Sequence, residues 1–200
     1  DTLTGSDGRP RCRWCAAAPE FEAYHDREWG FPVADDTRLF EKICLEGFQS
    51  GLSWRTILAK RENFRRAFEG FDFHRVARFG DAHVARLLQD EGIVRHRGKI
   101  EAAIHNARCA VRLQAERGSL AAYFWQFETD PATAAPPQTA TTSPESVALS
   151  KDLKKRGWKF VGPTTLYAFM QAMGLVNDHA TGCVIAGQVA QARKAFRVPT

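Results

Sequence analysis

Residues 44–54 place an acid, an aromatic ring and an apolar loop residue close together in the chain. Upstream, Leu39 and Ile43 are spaced i, i+4 and predict the buried face of a helix. Glu46 falls on that same face, and burying a carboxylate is costly unless a cation or a hydrogen-bond donor meets it. Glu46 therefore either pairs with an arginine in the core or serves a ligand. The pattern alone leaves both interpretations open.

Two glycines follow this acid and predict that the helix ends in a loop. The loop runs through Gly47 and Gly51 and exposes Leu52 at its tip. Ser53 is a typical N-cap residue, so a second helix is predicted to begin at Trp54. The alternative without a function is an ordinary loop that connects two helices.

Cysteine and histidine residues near the two ends of the chain could bind a metal ion. His179 and Cys183 are four residues apart, a spacing that places both side chains on one side of a helical turn. Cys12 and His25 would complete a set of two thiolates and two imidazoles, which is typical of a structural zinc site. Such a shell has no open position for catalysis. The alternative is scattered buried cysteines and ordinary histidines, and Cys15 is a further thiol beside Cys12.

A basic, glycine-containing turn lies between two predicted helices at residues 90–99. Backbone N–H groups at a helix N-terminus, together with the helix dipole, suit phosphate oxygens. This layout is that of a helix-hairpin-helix, which holds a DNA backbone without reading its bases. A solvated basic turn is the alternative. The candidate DNA contacts here are Gly92, Arg95, Arg97, Gly98 and Lys99.

Several aromatic side chains could join Glu46 in a site for a flat base. Rings stack on a base, and a carboxylate stabilises a base that carries a positive charge. Each ring taken alone is more often part of a core. The candidates are Trp14, Phe21, Tyr24, Trp29 and Trp54.

The elements that position these residues are predicted to be helices almost throughout. No convincing alternation of apolar and polar residues predicts a strand, so the predicted fold class is all-α. Residues 129–146 contain four prolines among Thr, Ala and Ser, which predicts an extended connection. The predicted helices are 35–46 capped by Asp35 or Asp36, one from Trp54 past Phe68, short ones that begin at Asp72 and Asp81, 98–117, one capped by Ser119, one from Pro144 capped by Ser143, and one around 166–173 that ends at Gly174.

Composition limits the classes of protein that the chain could belong to. Its 200 residues, 44% of them hydrophobic, suffice for one domain with a real core. A net charge of +5 mildly favours a polyanionic partner. There is no apolar run long enough for a membrane span and no secretory signal, and an odd number of cysteines argues for a reducing compartment. We therefore expect a cytoplasmic protein with no membrane partner.

Seven groups of residues, in order from Cys12 to Cys183, closely resemble the 3-methyladenine DNA glycosylase I family. They are RCRW at 11–14, YHDREWG at 24–30, CLEG at 44–47 with GLSW at 51–54, KREN at 60–63, RHRGKI at 95–100, KKRG at 154–157 and FMQAMGLVNDH at 169–179. The resemblance implies a helix-hairpin-helix glycosylase fold whose N- and C-termini are joined by a structural zinc ion. It implies a single domain over 12–183, with a central lobe at about 35–128 and a zinc-tied terminal lobe from 12–34 and 145–195.

The resemblance also implies which residues do what. The zinc ligands would be Cys12, His25, His179 and Cys183. The catalytic residues would be Glu46 and Tyr24, and the base-binding residues would be these two with Trp54, Trp14 and Phe21, which stands where the family can have a tyrosine. The DNA wedge would be Leu52, beside Gln49 and Gly51. Three departures are Cys15 beside the proposed ligand Cys12, Phe48, where some members have a polar residue, and the composition of the connection at 129–146.

The activity that the resemblance implies is hydrolysis of the N-glycosidic bond of N3-methyladenine in duplex DNA after base flipping. The product is an abasic site, and the enzyme would be a monomer. Many relatives place an aspartate shortly after the hairpin, but none occurs here between Asp90 and Asp130. Nothing marks Lys99 as a Schiff-base nucleophile, so we expect a monofunctional enzyme that uses pocket electrostatics. The alternatives are a non-catalytic, zinc-stabilised module that binds DNA damage, and a zinc hydrolase.

Overall fold

The structure is a computed structural model that describes residues 1–200, most of them in α-helices. The helices are α1 (Pro19–Arg27), α2 (Asp36–Gln49), α3 (Trp54–Ala59), α4 (Arg61–Ala67), α5 (Phe73–Val76), α6 (Asp81–Leu87), α7 (Arg97–Arg117), α8 (Leu120–Phe124), α9 (Pro144–Lys155), α10 (Pro163–Met173) and α11 (Ala186–Ala195). Short 3-10 helices span Arg13–Ala17, Glu69–Phe71 and Trp125–Phe127. No helix is both long enough and apolar enough to cross a membrane.

A small antiparallel ribbon at the N-terminus corrects the prediction that the chain has no sheet. Strands β1 (Thr2–Thr4) and β2 (Pro10–Cys12) pair with Thr2 opposite Cys12 and Thr4 opposite Pro10. Three residues per strand are too few for a period of two to be visible in the sequence. The ribbon matters for the site because Cys12 is its last residue.

Helix α2 lies at the centre of the fold and buries ten consecutive residues, from Leu39 to Phe48. Asp35 caps it, as predicted, by accepting from the backbone N–H of Arg38 at 2.8 Å. The predicted break at Gly47 is wrong, because the helix continues to Gln49. A Cβ at Gly47 would come within 3.5 Å of Phe160, so this glycine serves close packing inside the helix.

The helix predicted to run from Trp54 past Phe68 is instead two short helices. Lys60, with φ −95° and ψ 0°, separates α3 from α4. Ser53 caps α3, as predicted, by accepting from the backbone N–H of Thr56. The interruption leaves α3 as a short support for Trp54.

Of the C-terminal helices, α10 packs against α2 and α9 packs on α10. No helix or strand occurs between the 3-10 helix that ends at Phe127 and the start of α9 at Pro144, where Ser143 provides the predicted cap. Gly174 ends α10 with φ +86°, and a Cβ there would lie 2.6 Å from Pro32. One hydrophobic core of 48 residues includes both Cys12 and Val189, so the two ends of the chain share it.

Helices α1 and α11 were not predicted from the sequence. Helix α1 begins with Pro19 at its first turn, and its buried face carries Phe21, Tyr24 and His25. It therefore turns two candidate site residues, Tyr24 and His25, towards the interior.

Candidate active site and metal centre

A cavity of about 280 Å³ opens where α1, α2, α3 and α10 meet. It brings together four of the five residues that the sequence places around a base. Gln49, predicted at the DNA wedge, also reaches its wall. The lining residues are Trp14, Tyr24, Trp29, Glu46, Gln49, Trp54, Gln138, Ala168 and Gln171. Phe21 is not among them.

The carboxylate of Glu46 is buried, with 6% of the residue exposed, and lines this cavity. Burial raises its pKa to about 7, and the charge of Lys42 partly opposes that rise. No arginine pairs with it, since Arg61 binds Glu28 and Arg65 binds Glu41. The interpretation that Glu46 meets a core arginine is therefore wrong. A buried carboxylate without a hydrogen-bonded partner is available to a cationic ligand.

Lys42 is a buried cation next to the cavity that the sequence analysis did not single out. Its Nζ donates to Tyr24 Oη at 2.9 Å and lies 4.8 and 4.7 Å from the ring centroids of Tyr24 and Trp54. Burial lowers its pKa to about 8. The sequence could have indicated Lys42, because it lies four residues before Glu46 and both therefore lie on one face of α2. Burial also raises the pKa of Tyr24, so its hydroxyl stays protonated near neutrality.

Two indole N–H groups at the cavity are buried without a hydrogen-bond partner, those of Trp14 and Trp54. An unsatisfied buried donor costs about 1–3 kcal/mol, so a ligand that accepts from these N–H groups would remove that cost. Trp14 packs edge-on against Trp29, with ring centroids 5.0 Å apart. Phe21 contacts the other side of this group, 5.9 Å from Trp14, and so supports the wall without lining it.

The four predicted metal ligands meet in one buried cluster. The candidate ligand atoms of Cys12, His25, His179 and Cys183 all lie within 4.8 Å of one another. Sulfur-to-nitrogen distances are 3.6 Å from Cys12 to His179 and 3.5 Å from Cys183 to His25. A tetrahedral zinc ion, with Zn–S about 2.3 Å and Zn–N about 2.0 Å, would separate such atoms by about 3.5 Å. The donor set and its spacing thus fit zinc.

The imidazoles of this cluster are oriented by hydrogen bonds from outside it. His25 Nδ1 contacts Asp26 Oδ1 at 2.7 Å, and His179 Nε2 contacts the carbonyl of Trp29 at 2.9 Å. Outer partners of this kind fix the tautomer of a metal-binding histidine. Cys15 instead packs with Ala18 and Phe21, outside the cluster.

The prediction that His179 and Cys183 share a helical turn is wrong. Both lie in the loop between α10 and α11, where the N–H of Cys183 donates to the carbonyl of Ala180 at 2.9 Å. This turn, rather than a helix, brings the two side chains to the same side.

Comparison with known proteins bears on what this cavity serves. The family model for methyladenine glycosylases matches residues 14–186, which include every cavity residue. The chain belongs to the methyladenine glycosylase family. It is 50% identical over 177 residues to DNA-3-methyladenine glycosylase 1 of Escherichia coli, covering 86% of this chain and 95% of that protein.

Solved structures of methyladenine glycosylases have the same fold. A crystal structure of 3-methyladenine DNA glycosylase I, 50% identical, superposes with a TM-score of 0.80 over 87% of this chain and 98% of that one. A 33% identical enzyme from Staphylococcus aureus, described for its recognition of 3-methyladenine, also gives 0.80, over 88% and 96% of the two chains. The predicted family and the prediction of a glycosylase enzyme are confirmed.

In this methyladenine glycosylase, the predicted wedge lies on a loop just outside the cavity. Gly51 has φ +78°, which favours glycine, and Leu52 at the tip is 38% exposed. Gln49 Nε2 donates to the carbonyl of Leu52 at 2.7 Å and so braces the loop from inside. The predicted group of Leu52, Gln49 and Gly51 is therefore contiguous.

The side chain of Lys99, a predicted DNA contact, is bound within the protein. It is buried, and its Nζ donates to the carbonyls of Phe48 at 2.9 Å and Ser50 at 2.5 Å. These carbonyls lie at the end of α2 and the start of the Leu52 loop. Carbonyls at the end of a helix lack partners within the helix and need other donors. The Lys99 ammonium supplies two such hydrogen bonds and so fixes the loop, which leaves it less available to a phosphate.

The rest of the turn at 90–99 offers fewer free amides than predicted. The N–H of Gly92 donates to Asp90 Oδ1 at 2.8 Å, and the N–H of Lys99 donates to His96 Nδ1 at 3.1 Å. Arg95, Arg97 and Gly98 are exposed, as a phosphate site requires. The amides of Arg97 and Gly98, in the first turn of α7, have no acceptor within the helix.

A second basic turn, between α9 and α10, lies beside the Lys99 segment. Lys159 and Phe160 share a small crevice with Phe48 and Lys99. Asn106 holds this turn at both the N–H and the carbonyl of Lys159, at 2.9 and 2.8 Å. Its signal in the sequence is the cluster of cations at Lys151, Lys154, Lys155, Arg156 and Lys159.

Proposed function

We propose that this chain hydrolyses the N-glycosidic bond of N3-methyladenine in double-stranded DNA after the damaged nucleotide rotates into the cavity. The observation that carries this proposal is the buried, unpaired carboxylate of Glu46 beside the rings of Tyr24 and Trp54. The described recognition of 3-methyladenine by the S. aureus relative supports the same ligand.

The chemistry of the damaged nucleotide fits this arrangement. Methylation at N3 gives the base a positive charge, so the base leaves with the electrons of the glycosidic bond and becomes neutral. Water adds at C1′ and loses a proton, which leaves an abasic sugar. A cation stacked on an aromatic ring gains roughly 0.5–2 kcal/mol, depending on desolvation, and the ionised Glu46 adds charge stabilisation.

The lysines near the site support a monofunctional reaction. Strand cleavage through a Schiff base would need an amine facing the sugar. Lys42 donates to Tyr24, and Lys99 donates to two backbone carbonyls. Neither ammonium lines the cavity.

The DNA is proposed to lie across three neighbouring loops. Leu52 would fill the space left by the flipped nucleotide, as apolar wedges do in other complexes that deform DNA. Exposed cations at Arg95 and Arg97 would contact phosphates, and so would the turn around Lys159. We propose that these turns together hold the DNA backbone as a helix-hairpin-helix does, and that the enzyme is a monomer.

Zinc is proposed as a structural cofactor held by Cys12, His25, His179 and Cys183. With four protein ligands the ion supplies a cross-link and has no position for a reactant. It would join the two parts of the terminal lobe, 12–34 and 145–195, to each other, with the central lobe at about 35–128 and the connection at 129–146 between them in sequence. His25 is the residue after Tyr24, so the same cross-link fixes one wall of the cavity.

Release of free N3-methyladenine from methylated duplex DNA tests the proposed function, with release of 7-methylguanine as the specificity control. We expect selective N3-methyladenine release, and loss of that release with retained DNA affinity in Glu46→Gln. Binding to abasic-site DNA without any base release would instead favour a non-catalytic module that recognises damage.

A further inference from the structure

Asp178 is buried behind the cavity and is the shared partner of two glutamines that line it. Its Oδ2 accepts from Gln171 Nε2 at 2.7 Å and from Gln138 Nε2 at 3.4 Å. Its Oδ1 accepts from the backbone N–H of Gln138 at 3.0 Å, and Gln138 Nε2 also donates to the carbonyl of Asp178. One carboxylate thus fixes both amide side chains.

This network determines which end of each amide is left for a ligand. A carboxylate that receives several N–H groups acts only as an acceptor, so both amide nitrogens must turn towards Asp178. The Oε1 atoms of Gln171 and Gln138 are then the ends left to the cavity. Together with Glu46, they make the polar wall of the cavity rich in acceptors.

Gln138 belongs to the connection between the 3-10 helix ending at Phe127 and α9. Its backbone has φ +64°, a left-handed conformation that glutamine rarely adopts. Its bonds to Asp178 offset the cost of that conformation. A segment with no helix or strand is thereby held as part of the cavity wall.

We propose that Asp178 is a positioning residue that presents Gln171 and Gln138 as acceptors to the exocyclic amine of the bound base. The cavity would then select adenine over 6-oxo purines such as guanine. This inference rests on the proposed base release. The exocyclic amine of adenine donates a hydrogen bond, whereas the 6-oxygen of guanine can only accept one. A guanine 6-oxygen that faces a glutamine Oε1 therefore leaves both oxygens without a hydrogen bond.

The test compares release of N3-methyladenine and N3-methylguanine from the same methylated duplex under single-turnover conditions. We expect Gln171→Met to lower the ratio of the two rates by roughly tenfold, as for a lost hydrogen bond in a desolvated site. Asp178→Asn should lower it too, because an asparagine amide can donate and lets the Gln171 amide reverse. Gln126→Met, at an exposed glutamine bonded to Arg117, is the matched control.

The outcomes separate this inference from the proposed function. If the wild-type protein releases no N3-methyladenine, the proposed function fails and this inference fails with it. If the wild type releases it but Gln171→Met slows both bases equally, Gln171 has only a structural role and the inference is overturned. Because His179 is the residue after Asp178, the zinc content of Asp178→Asn is measured as well. If that variant has lost zinc, the comparison rests on Gln171→Met alone.

Discussion

Lys42 donates a 2.9 Å hydrogen bond to the hydroxyl of Tyr24 and lies one helical turn before Glu46 on α2. A buried cation close to a buried carboxylate favours the ionised carboxylate. The charge of Lys42 accordingly lowers the pKa of Glu46, against the larger effect of burial.

Lys42→Met is therefore expected to raise the pKa of Glu46 above its value of about 7. Since the ionised carboxylate stabilises the cationic base, the acid limb of kcat/KM for base release should move to higher pH. A pH profile from 5 to 9 measures this shift. Lys42→Arg keeps the charge and should move the limb less. An acid limb at the same pH in Lys42→Met would show that the two groups are not coupled in this way.

The buried carboxylate should also destabilise the fold above neutral pH. Its pKa of about 7 exceeds its ordinary value of 4.5, so the folded state binds the proton more tightly. Stability therefore falls as pH rises from about 4.5 through about 7. Glu46→Gln should be more stable than wild type at pH 8, by on the order of 1–3 kcal/mol, and by much less at pH 4.5.

Urea unfolding of both proteins at the two pH values measures this difference. Glu41→Gln is a useful comparison, because Glu41 pairs with Arg65 and so should lose stability at pH 8. An equal stability difference at pH 4.5 and 8 for Glu46→Gln would contradict the assigned ionisation.

Removing the metal is expected to unfold the terminal lobe. Cys183→Ser should lower zinc content, measured by plasma mass spectrometry, and should lower Tm by well over 10 °C, because a structural zinc ion contributes free energy of folding directly. Cys15→Ser should keep zinc, since Cys15 lies outside the cluster. Full stability with no bound metal would contradict a structural role.

Lys99→Met is expected to loosen the loop that carries Leu52. The variant loses two hydrogen bonds from a charged donor, each contributing about 1.5–3 kcal/mol. Binding to duplex DNA with an abasic site should weaken by tenfold or more, and 2-aminopurine fluorescence opposite the site should report less flipping. Lys99→Arg should restore part of the affinity.

A neighbouring cation distinguishes this effect from loss of a phosphate contact. Arg97→Met should weaken binding and also reduce its dependence on salt, because an exposed cation releases counterions from DNA. Lys99→Met should leave the salt dependence unchanged. A reduced salt slope in Lys99→Met would mean that Lys99 reaches the DNA after all.

Much of the fold could be predicted because local signals agree with the tertiary packing. Asp35, Ser53, Ser119 and Ser143 each cap the helix that their sequence predicts, and Gly174 ends α10. The prediction failed where packing overrides local preference. Gly47 stays helical because α2 is buried along its length, and the ribbon strands are too short to show a pattern.

The site was partly predictable for a similar reason. Residue types with obvious chemistry, such as Glu46 and the clustered cysteines and histidines, could be recognised from the chain. Lys99 was predicted to contact DNA because it lies in a basic turn. Its burial depends on how α7 packs against α2, which the sequence does not show. Gln171 and Asp178 lie in the FMQAMGLVNDH segment without an assigned role, and Gln138 gave no signal, because the contacts among the three side chains depend on the tertiary fold.

The cluster at Cys12, His25, His179 and Cys183 has a consequence for how the protein is made. The first two of these residues leave the ribosome long before the last two, since His25 and Cys183 are 158 positions apart in the sequence. At 5–20 residues per second, that wait is roughly 10–30 s. Because Tyr24 precedes His25, one wall of the cavity stays incomplete until synthesis has passed Cys183. A nascent chain can thus assemble its central helices early, but the cavity is complete only after Cys183 has emerged.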